Sequence, residues 1–385
     1  MISAEDFCAE LDHRGFALAT GVPCGWLRGP LARLAARPGH YVPAVNEGAA
    51  LAIAAGAELA GRRTAVLIQN SGLGNLINPL SSLVLPYRIP VTVFMTLRGW
   101  PDPDGDEPQH ALTGVSTQPI LDQHGVPHWV LTDRAGHLQE VMDRADEARS
   151  RREPSFVLLP AGLLGTDGAA AGATPGAAGT EFGLAEAMAV VAPALSDSLA
   201  FATTGRICRA LYAAGHRPEN FYMQGSMGHV LALGIGACVA RPDRRVVVLD
   251  GDGAALMHLG TMATAGAVGP PNLLHVIFDN GTYDSTGGQP APGPADWTVP
   301  AAGLGYRRTV VCGGAEELRA ALGPSPGAPS SSGEAGPVLV VVRTAPGSFP
   351  LPRPSDVFGL PEMAQEFRSA AERVPARTGG EGRAL

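Results

Sequence analysis

Charged residues are scarce in this chain of 385 residues, at 17% of the sequence, and aromatic residues are scarcer still, at 5%. The net charge of −8 argues against the basic surface that a nucleic acid or an anionic membrane would require. No apolar run approaches the length of a membrane-spanning helix, and the N-terminus reads as a polar amphipathic helix rather than a signal peptide. We therefore expect a soluble protein of the cytoplasm.

Cysteine is rare as well, and its placement argues against structural disulfides and against a zinc site. The five cysteines are Cys8, Cys24, Cys208, Cys238 and Cys312. Their odd number, wide spacing and lack of a C-x-x-C motif fit neither a disulfide framework nor a zinc site. Glycine and proline are plentiful instead, at 50 and 34 residues, and the apolar 45% is largely small side chains. Such side chains favour close packing of helices on sheets, and the length favours two domains.

The stretch 246–289 has the clearest organisation. Two buried strands, 246–249 and 273–278, are separated by an acidic turn and a helix, which predicts a parallel βαβ unit. Parallel strands end at the same edge of a sheet, where ligands of doubly wound sheets bind. The sequence therefore places Asp252 beside Asn280 at a ligand-binding edge.

The residue types at this edge indicate a metal and an anion. Gly251 and Gly253 lack side chains where the backbone approaches another group, and the amides that follow favour a negative charge. Carboxylate and amide oxygens beside an anion are typical of Mg²⁺ that bridges a protein to a diphosphate. On these residues alone, a glycine-rich turn without a ligand and a nucleotide site both remain open.

A second acidic residue stands at a strand end in the first half of the chain. The short strand 41–45 leads to Glu47, and 49–59 is an alanine-rich helix that should be buried on most sides. By itself, Glu47 could simply be an acid that the helix dipole favours. The strand 64–69 and the strand 90–97 follow, and each ends in polar residues.

These polar ends supply the candidates for contact with a substrate, which are Asn70, Ser71, Arg98, Asp106, Gln109 and His110. We interpret 70–75 as a loop with short polar side chains that approaches a ligand, and 101–110 as a polar, proline-rich loop. A solvated loop is the alternative for the second segment.

The second half repeats the rhythm of strand, loop and helix. The strand 199–203 leads to a turn at Thr204, and the glycine-rich segment 225–229 contains Met227 before the helix 230–240. Met227 could fill an irregular gap in the core. The last strand is 337–343. A glycine- and alanine-rich stretch, 161–180, reads as a linker, and the segments 324–336 and from about 374 onward read as a flexible loop and tail.

The GDG of 251–253, followed by 25 residues and then Asp279-Asn280, resembles the thiamine diphosphate-binding motif. Asp279 stands where that family usually has asparagine. Over most of residues 1–345 the chain resembles the phosphonopyruvate decarboxylase family, with the sulfopyruvate decarboxylases as close kin. The matching segments are NEGAALAIAAG (46–56), QNSGLGNLINPL (69–80), DEPQH (106–110), GSMGH (225–229), GDGAALMHLG (251–260) and DNGTYDSTGGQ (279–289).

This resemblance implies an α/β fold of two doubly wound parallel-sheet domains. They would be a pyrimidine-binding domain at 1–165 and a diphosphate-binding domain at 183–372, with a linker at 166–182 and a tail at 373–385. It also implies a homodimer or homotetramer in which Glu47 of one subunit and Asp252 of its neighbour share one active site. No nucleic-acid or membrane partner is expected.

The resemblance further implies roles for single residues. Mg²⁺ would be bound by Asp252, by Asn280 and by the backbone carbonyl of Thr282. Glu47 would share a proton with N1′ of the aminopyrimidine, and Met227 would hold the cofactor bent. The full set for thiamine diphosphate is Glu47, Thr204, Gly225, Ser226, Met227, Asp252, Gly253, Ala254 and Asn280. The catalytic residues would be Glu47 and His110, and Arg98 would face the second anionic group of the substrate.

The implied reaction is the Mg²⁺- and thiamine diphosphate-dependent decarboxylation of 3-phosphonopyruvate to phosphonoacetaldehyde and CO₂, in the biosynthesis of phosphonate natural products such as antibiotics. A sulfopyruvate decarboxylase that gives sulfoacetaldehyde is the alternative. A non-catalytic magnesium-nucleotide-binding protein is a third possibility, but it would not need Glu47.

Overall fold

Two six-stranded sheets, in which every strand pairing is parallel, carry the fold. The computed structural model describes residues 1–166, 181–196, 198–294, 296–323, 336–347 and 350–373. Most of the linker, of the loop at 324–336 and of the tail expected from the sequence lies outside the described residues. The domain boundaries drawn from the sequence therefore stay a prediction.

The first sheet consists of β1 (Leu18–Gly21), β2 (Tyr41–Pro43), β3 (Thr64–Gln69), β4 (Thr92–Thr96), β5 (His128–Val130) and β6 (Ser155–Leu159). The second consists of β7 (Ser198–Ala202), β8 (Asn220–Tyr222), β9 (Arg245–Gly251), β10 (Leu273–Asp279), β13 (Arg308–Cys312) and β14 (Val338–Arg343), and a small antiparallel pair is formed by β11 (Thr282–Tyr283) and β12 (Gln289–Pro290).

The two sheets have the same topology. The first has the strand order β2-β1-β3-β4-β6-β5, and the second, taken from its other end, has the order β8-β7-β9-β10-β14-β13. Each sheet thus reverses its order next to its first strand, which creates the crevice where doubly wound folds bind ligands. The fold class expected from the sequence is confirmed.

Helices cover both faces of each sheet. They are α1 (Ala4–His13), α2 (Arg28–Ala35), α3 (Glu47–Leu59), α4 (Leu73–Pro79), α5 (Ala111–Gln123), α6 (His137–Ser150), α7 (Leu184–Val191), α8 (Arg206–Ala214), α9 (Val230–Ala240), α10 (Asp252–Met257), α11 (Gly260–Val268), α12 (Thr298–Gly303), α13 (Ala315–Leu322) and α14 (Leu360–Glu372). Along β3, Ala65 and Leu67 pack into one apolar cluster, while Val66 and Ile68 pack into the cluster on the opposite face. This double burial explains why the strands read as continuous apolar runs.

Two local interpretations are wrong. The segment predicted as a loop at 70–75 is helical, because Asn70–Gly72 forms a 3₁₀ turn that continues into α4. The helix expected after Asp252 is divided into α10 and α11, since His258 leaves the helical conformation with φ of −134° and ψ of 52°.

Two further observations bear on the expectations from composition. All five cysteines are buried thiols. Within the described ranges, no helix combines the length and the apolar character that crossing a membrane requires.

Candidate active site

A cavity of about 1070 Å³ lies where the carboxyl edges of the two sheets meet. The residues that line it follow β1, β3, β4 and β6 of the first sheet and β7, β9, β10 and β14 of the second; examples are Val22, Gln69, Arg98, Pro160, Thr203, Asp252, Asn280 and Thr344. Both halves of the chain therefore contribute walls to one cavity.

Every residue that the sequence assigns to the cofactor or to the metal lines this cavity. These residues are Glu47, Thr204, Gly225, Ser226, Met227, Asp252, Gly253, Ala254, Asn280 and Thr282. A single chain supplies both walls in the structure. The expectation that two subunits share the site stays a prediction.

Glu47 is a buried acid of the first half that lines the cavity. It is the first residue of α3, and only 5% of its surface is exposed. Its Oε2 accepts a hydrogen bond of 2.8 Å from Nδ2 of Asn75. Burial raises the pKa of Glu47, and the hydrogen bond from Asn75 opposes that rise. The carboxyl group is thus held in one orientation at a place where its interactions with a ligand are little screened by water.

The residue before Glu47 connects the two halves of the site. Oδ1 of Asn46 accepts a hydrogen bond of 2.8 Å from the amide of Ala49 and so caps α3. Its Nδ2 donates to the carbonyl of Met257 at 3.2 Å, at the end of the helix that Asp252 begins. The helix of Glu47 is therefore fixed relative to the helix of Asp252.

Asp252 joins the ends of β9 and β10. Oδ1 accepts a hydrogen bond from the amide of Gly253 at 2.7 Å, and Oδ2 accepts one from the amide of Gly281 at 2.8 Å. Burial, together with the nearby charge of Asp279, raises the pKa of Asp252 to about 8. A cation would offset the cost of this buried charge, so the residue suits a metal ligand.

Asp279, which departs from the resembled motif, has a structural role. Its Oδ2 accepts hydrogen bonds from Nε1 of Trp297 at 3.1 Å and from Nη1 of Arg343 at 2.5 Å. The side chain is thereby held by two donors from the second half of the chain, and it is not among the described residues that line the cavity.

Asp284 holds the other two predicted metal ligands in place. Nδ2 of Asn280 donates to its Oδ2 at 2.7 Å, and the hydroxyl of Thr282 donates to its Oδ1 at 2.8 Å. Within the described part of the chain, no group of three His, Cys, Asp or Glu side chains could hold a metal alone. One carboxylate and one amide oxygen fit Mg²⁺, which usually takes its remaining ligands from water and substrate phosphates.

The turn with Met227 enters the cavity from the second half. Ser226 has a φ of +52°, and Met227 is half-buried in the cavity wall. The hydroxyl of Thr204 donates to the carbonyl of Gln224 at 3.0 Å, which ties this turn to the end of β7. A large apolar side chain is therefore presented to the cavity from a fixed backbone.

Two of the predicted substrate contacts, Asn70 and Asp106, use their polar atoms to hold the backbone, and their role toward a substrate stays a prediction. Asn70 is completely buried; its Oδ1 accepts from the amide of Arg98 at 3.0 Å and its Nδ2 donates to the carbonyl of Arg98 at 2.9 Å. Asp106 accepts from the amides of Gly99 and Glu107 at 2.9 and 2.7 Å. Neither Asn70 nor Asp106 is among the described residues that line the cavity, whereas Ser71, Gln109 and His110 are.

Arg98 lines the cavity but is already paired. Its Nε donates to Oδ2 of Asp106 at 2.6 Å, its Nη2 contacts the other oxygen, and its guanidinium group lies 4.8 Å from the centre of the Trp26 ring. Burial by itself would raise the pKa of Asp106. The hydrogen bond from Arg98 outweighs burial and lowers this pKa to about 2. The charge of Arg98 is therefore largely neutralised before a substrate binds.

His110 and Gln109 retain unpartnered polar atoms at the cavity wall. Nδ1 of His110 and Oε1 of Gln109 are buried, and neither has a hydrogen-bond partner among the described residues. Burial, with a contribution from Arg98, lowers the pKa of His110, so its imidazole is neutral at pH 7. A neutral imidazole in this position can accept a proton, and the imidazolium that forms can then donate it.

Sequence reasoning missed the groups that support the site. Asn75 acts on Glu47, Asp284 acts on the metal ligands, and Glu107 receives Arg209 and Arg353 as ion-pair partners. Only Asp284 had a local signal, as an acid four residues after Asn280 in the same turn. The other contacts join distant segments.

Comparison with known proteins identifies the relatives of the chain. Residues 204–316 match the family model described as "Thiamine pyrophosphate enzyme, C-terminal TPP binding domain". The chain is 39% identical to phosphonopyruvate decarboxylase of Streptomyces hygroscopicus, over 99% of this chain and 97% of that protein. It is 37% identical to the phosphonopyruvate decarboxylase of Streptomyces viridochromogenes, over 98% and 97%. With sulfopyruvate decarboxylase of Methanosarcina acetivorans it shares 31% identity over 72% of this chain and 76% of that protein.

Proposed function

Because this chain belongs to the phosphonopyruvate decarboxylase family of thiamine diphosphate-dependent enzymes, we propose that it decarboxylates 3-phosphonopyruvate to phosphonoacetaldehyde and CO₂. Membership of this family makes it an enzyme rather than a non-catalytic nucleotide-binding protein. The observation that carries the proposal is that Glu47 and Asp252, from different sheets, line one cavity. We assign the reaction to the biosynthesis of phosphonate natural products, antibiotics among them, in the cytoplasm.

The second sheet would hold the diphosphate end of the cofactor. Asp252, Asn280 and the carbonyl of Thr282 would bind Mg²⁺, and Asp284 would keep Asn280 and Thr282 in position. Thr204, Gly253 and Ala254 line the same region of the cavity and would contact the cofactor there. When bound, thiamine diphosphate would supply the nucleophilic carbon and the electron sink that decarboxylation needs.

The first sheet would control protons at the other end of the cofactor. Glu47 would hold or donate a proton at N1′ of the pyrimidine, and its burial and its bond to Asn75 keep it oriented for that contact. Gly225 and Met227 would contact the pyrimidine from the second sheet. Neutral His110, at the wall of the cavity, would accept a proton from the reacting substrate and return it as the imidazolium.

We further propose a homodimer or homotetramer with active sites between subunits. Helix α9 contains no charged residue, yet Leu233 and Val239 on it are 40% and 65% exposed, and Leu59 at the end of α3 is 71% exposed. Apolar faces of this kind favour burial against a second copy. Family membership supports the same arrangement.

The substrate is tested by a direct comparison of three acids. Release of CO₂ from phosphonopyruvate, sulfopyruvate and pyruvate is measured with thiamine diphosphate and Mg²⁺ at saturation. In a site that pairs a dianion, the methyl group of pyruvate would leave the polar groups of the site without partners. We therefore expect kcat/KM for phosphonopyruvate to exceed that for pyruvate by roughly 10⁴.

Sulfopyruvate, with one charge fewer, should fall between the other two acids. It is the second candidate substrate because of the 31% identity to a sulfopyruvate decarboxylase. If kcat/KM is highest for sulfopyruvate, the substrate is sulfopyruvate and the proposed decarboxylation still holds. The highest value for pyruvate would contradict recognition of the anion altogether.

A further inference from the structure

Two arginines of the second half converge on one carboxylate oxygen of the first half. Oε1 of Glu107 lies 3.2 Å from Nη2 of Arg209 and 3.3 Å from Nη2 of Arg353. The other oxygen, Oε2, accepts a hydrogen bond of 2.6 Å from Gln109. Two positive charges therefore face one negative charge, and the cluster keeps a net positive charge. All four residues line the cavity.

The ion pairs of Glu107 differ from the pair formed by Arg98 and Asp106. Arg98 engages both oxygens of Asp106, one of them at 2.6 Å, and two backbone amides also donate to Asp106. The contacts of Glu107 to Arg209 and Arg353 are longer than the roughly 2.7–2.9 Å of a strong charge-assisted bond. They also use a single oxygen. Asp106 is thus held more tightly by its arginine than Glu107 is by Arg209 and Arg353.

The position of the cluster suits a substrate. Glu107 lies in the loop that carries His110, and Gln109 packs against the turn of Met227, since a Cβ added to Gly225 would lie 3.3 Å from Cβ of Gln109. In that loop, Oε1 of Gln109 and Nδ1 of His110 are the buried atoms without a partner among the described residues. The cluster of Glu107, Arg209 and Arg353 therefore lies near buried polar atoms that have no hydrogen-bond partner among the described residues. These atoms lie beside the turn of Met227, which is predicted to contact the cofactor.

We propose that the phosphonate of the substrate binds between Arg209 and Arg353 and displaces Glu107 from them. This inference rests on the proposed function and replaces Arg98 as the partner of the second anionic group. A phosphonate dianion neutralises both guanidinium groups, and its three oxygens match their forked donors. A sulfonate carries the same single charge as Glu107 and leaves one guanidinium charge without a counter-charge, and the methyl group of pyruvate leaves both.

Binding of 3-phosphonopropionate, which has the phosphonate and the carboxylate but no keto group to react, tests the subsite. Calorimetry is carried out on the holoenzyme of the parent, of Arg209→Gln and of Arg353→Gln. A bond to a charged group contributes about 1.5–3 kcal/mol, so we expect each variant to bind about 10- to 100-fold more weakly. Arg373→Gln is the control, because Arg373 pairs with Glu219 at 3.0 Å and does not line the cavity.

The variant Glu107→Gln tests whether the ligand displaces Glu107 from Arg209 and Arg353. If the ligand displaces Glu107, removal of its charge removes a competitor, and 3-phosphonopropionate should bind several-fold more tightly. Weaker binding to this variant would overturn the displacement. The apoenzymes are also titrated with thiamine diphosphate and Mg²⁺. A large loss of cofactor affinity in Arg209→Gln and Arg353→Gln, with binding of 3-phosphonopropionate retained, would assign the arginines to the diphosphate and overturn the proposal.

The experiments give different results if the subsite is wrong and if the proposed function is wrong. If the parent releases CO₂ from phosphonopyruvate but the arginine variants bind 3-phosphonopropionate like the control, the function stands and the subsite is wrong. If the parent binds 3-phosphonopropionate through both arginines but does not turn over phosphonopyruvate, the subsite stands and the function is wrong. No binding to the parent would overturn the subsite directly.

Discussion

Asn75 donates a hydrogen bond of 2.8 Å to Glu47 and so orients the buried carboxyl group of that residue. The two residues lie on neighbouring helices, α3 and α4, that pack together. Gly72, immediately before α4, makes the approach possible, because a Cβ at that position would lie 2.1 Å from Cδ of Glu47. Gly72 therefore leaves free the space that the carboxyl group of Glu47 occupies.

A methyl group at position 72 should disable the enzyme without unfolding it. Gly72 has a φ of −88°, which alanine can adopt, so Gly72→Ala tests space rather than backbone strain. Overpacking costs about 1–3 kcal/mol, and a displacement of Glu47 by about 1 Å could lower kcat about 100-fold. The measurements are kcat and the thermal midpoint. Gly74→Ala is the matched control, because nothing lies within 4 Å of its Cβ. Equal effects in the two variants would contradict the explanation.

Glu47→Gln should bind the cofactor and lose turnover. The amide keeps the shape of the carboxyl group and can still accept the bond from Asn75, but it cannot hold or donate the same proton. Loss of one oriented electrostatic contact lowers the rate by about 10²–10³-fold. Steady-state kinetics and titration with thiamine diphosphate give the two quantities. A variant within about threefold of the parent rate would show that another group acts on the cofactor.

The same variant should change how the stability of the apoprotein depends on pH. Burial raises the pKa of Glu47 above its ordinary value of 4.5, so between these two values the unfolded chain has lost a proton that the folded chain keeps. The free energy of unfolding of the parent therefore falls as the pH rises through this window. Glu47→Gln lacks this titration, so its stability relative to the parent should increase above pH 4.5 and level off above the raised pKa.

Urea unfolding at several pH values measures this difference. Glu140→Gln is the control with the opposite sign, because the hydrogen bond from Arg134 lowers the pKa of Glu140. A stability difference between Glu47→Gln and the parent that does not change with pH would mean that Glu47 titrates normally.

The sequence could place residues whose position follows from the end of a strand. Glu47, Thr204, Asp252 and Asn280 follow apolar runs, and the carboxyl edges of parallel strands bring such residues together. Strand β13, by contrast, does not stand out in the sequence, because it is an edge strand in which one residue is buried, two are partly buried and two are exposed.

Contacts between distant residues could not be predicted in this way. Asn75 lies 28 residues from Glu47, and Arg209 lies 102 residues from Glu107. Nothing in the local pattern shows that Asp106 would neutralise Arg98. A single sequence gives the position of a charged residue along the chain but not the partner that tertiary packing brings to it, and the role of Arg98 toward the substrate stays a prediction.

Two substitutions should weaken the binding of Mg²⁺ to different extents. Asp252→Ala removes the only formal charge among the predicted ligands, so Mg²⁺-dependent binding of thiamine diphosphate should be abolished. Asp284→Ala leaves the ligands in place but frees Asn280 and Thr282, and loss of such a supporting residue typically weakens metal binding about 10- to 100-fold. Calorimetry at several Mg²⁺ concentrations measures both. Asp296→Asn is the control, because Asp296 is exposed and its side chain accepts a hydrogen bond from the amide of Thr298. Full affinity in Asp252→Ala would contradict the site.

Mixed subunits decide whether Glu47 and Asp252 act within one chain or across two. The segment between the two sheets, 167–180, lies outside the described residues, and the same two walls could meet within a chain or between neighbours. We expect that mixing inactive Glu47→Gln with inactive Asp252→Ala restores activity, because a hybrid dimer with shared sites would contain one intact site beside one doubly altered site. The measurement is the rate of CO₂ release after exchange of subunits, with the exchange followed by mass spectrometry. If subunits exchange and no activity returns, each chain uses its own Glu47 and Asp252, as in the single chain described.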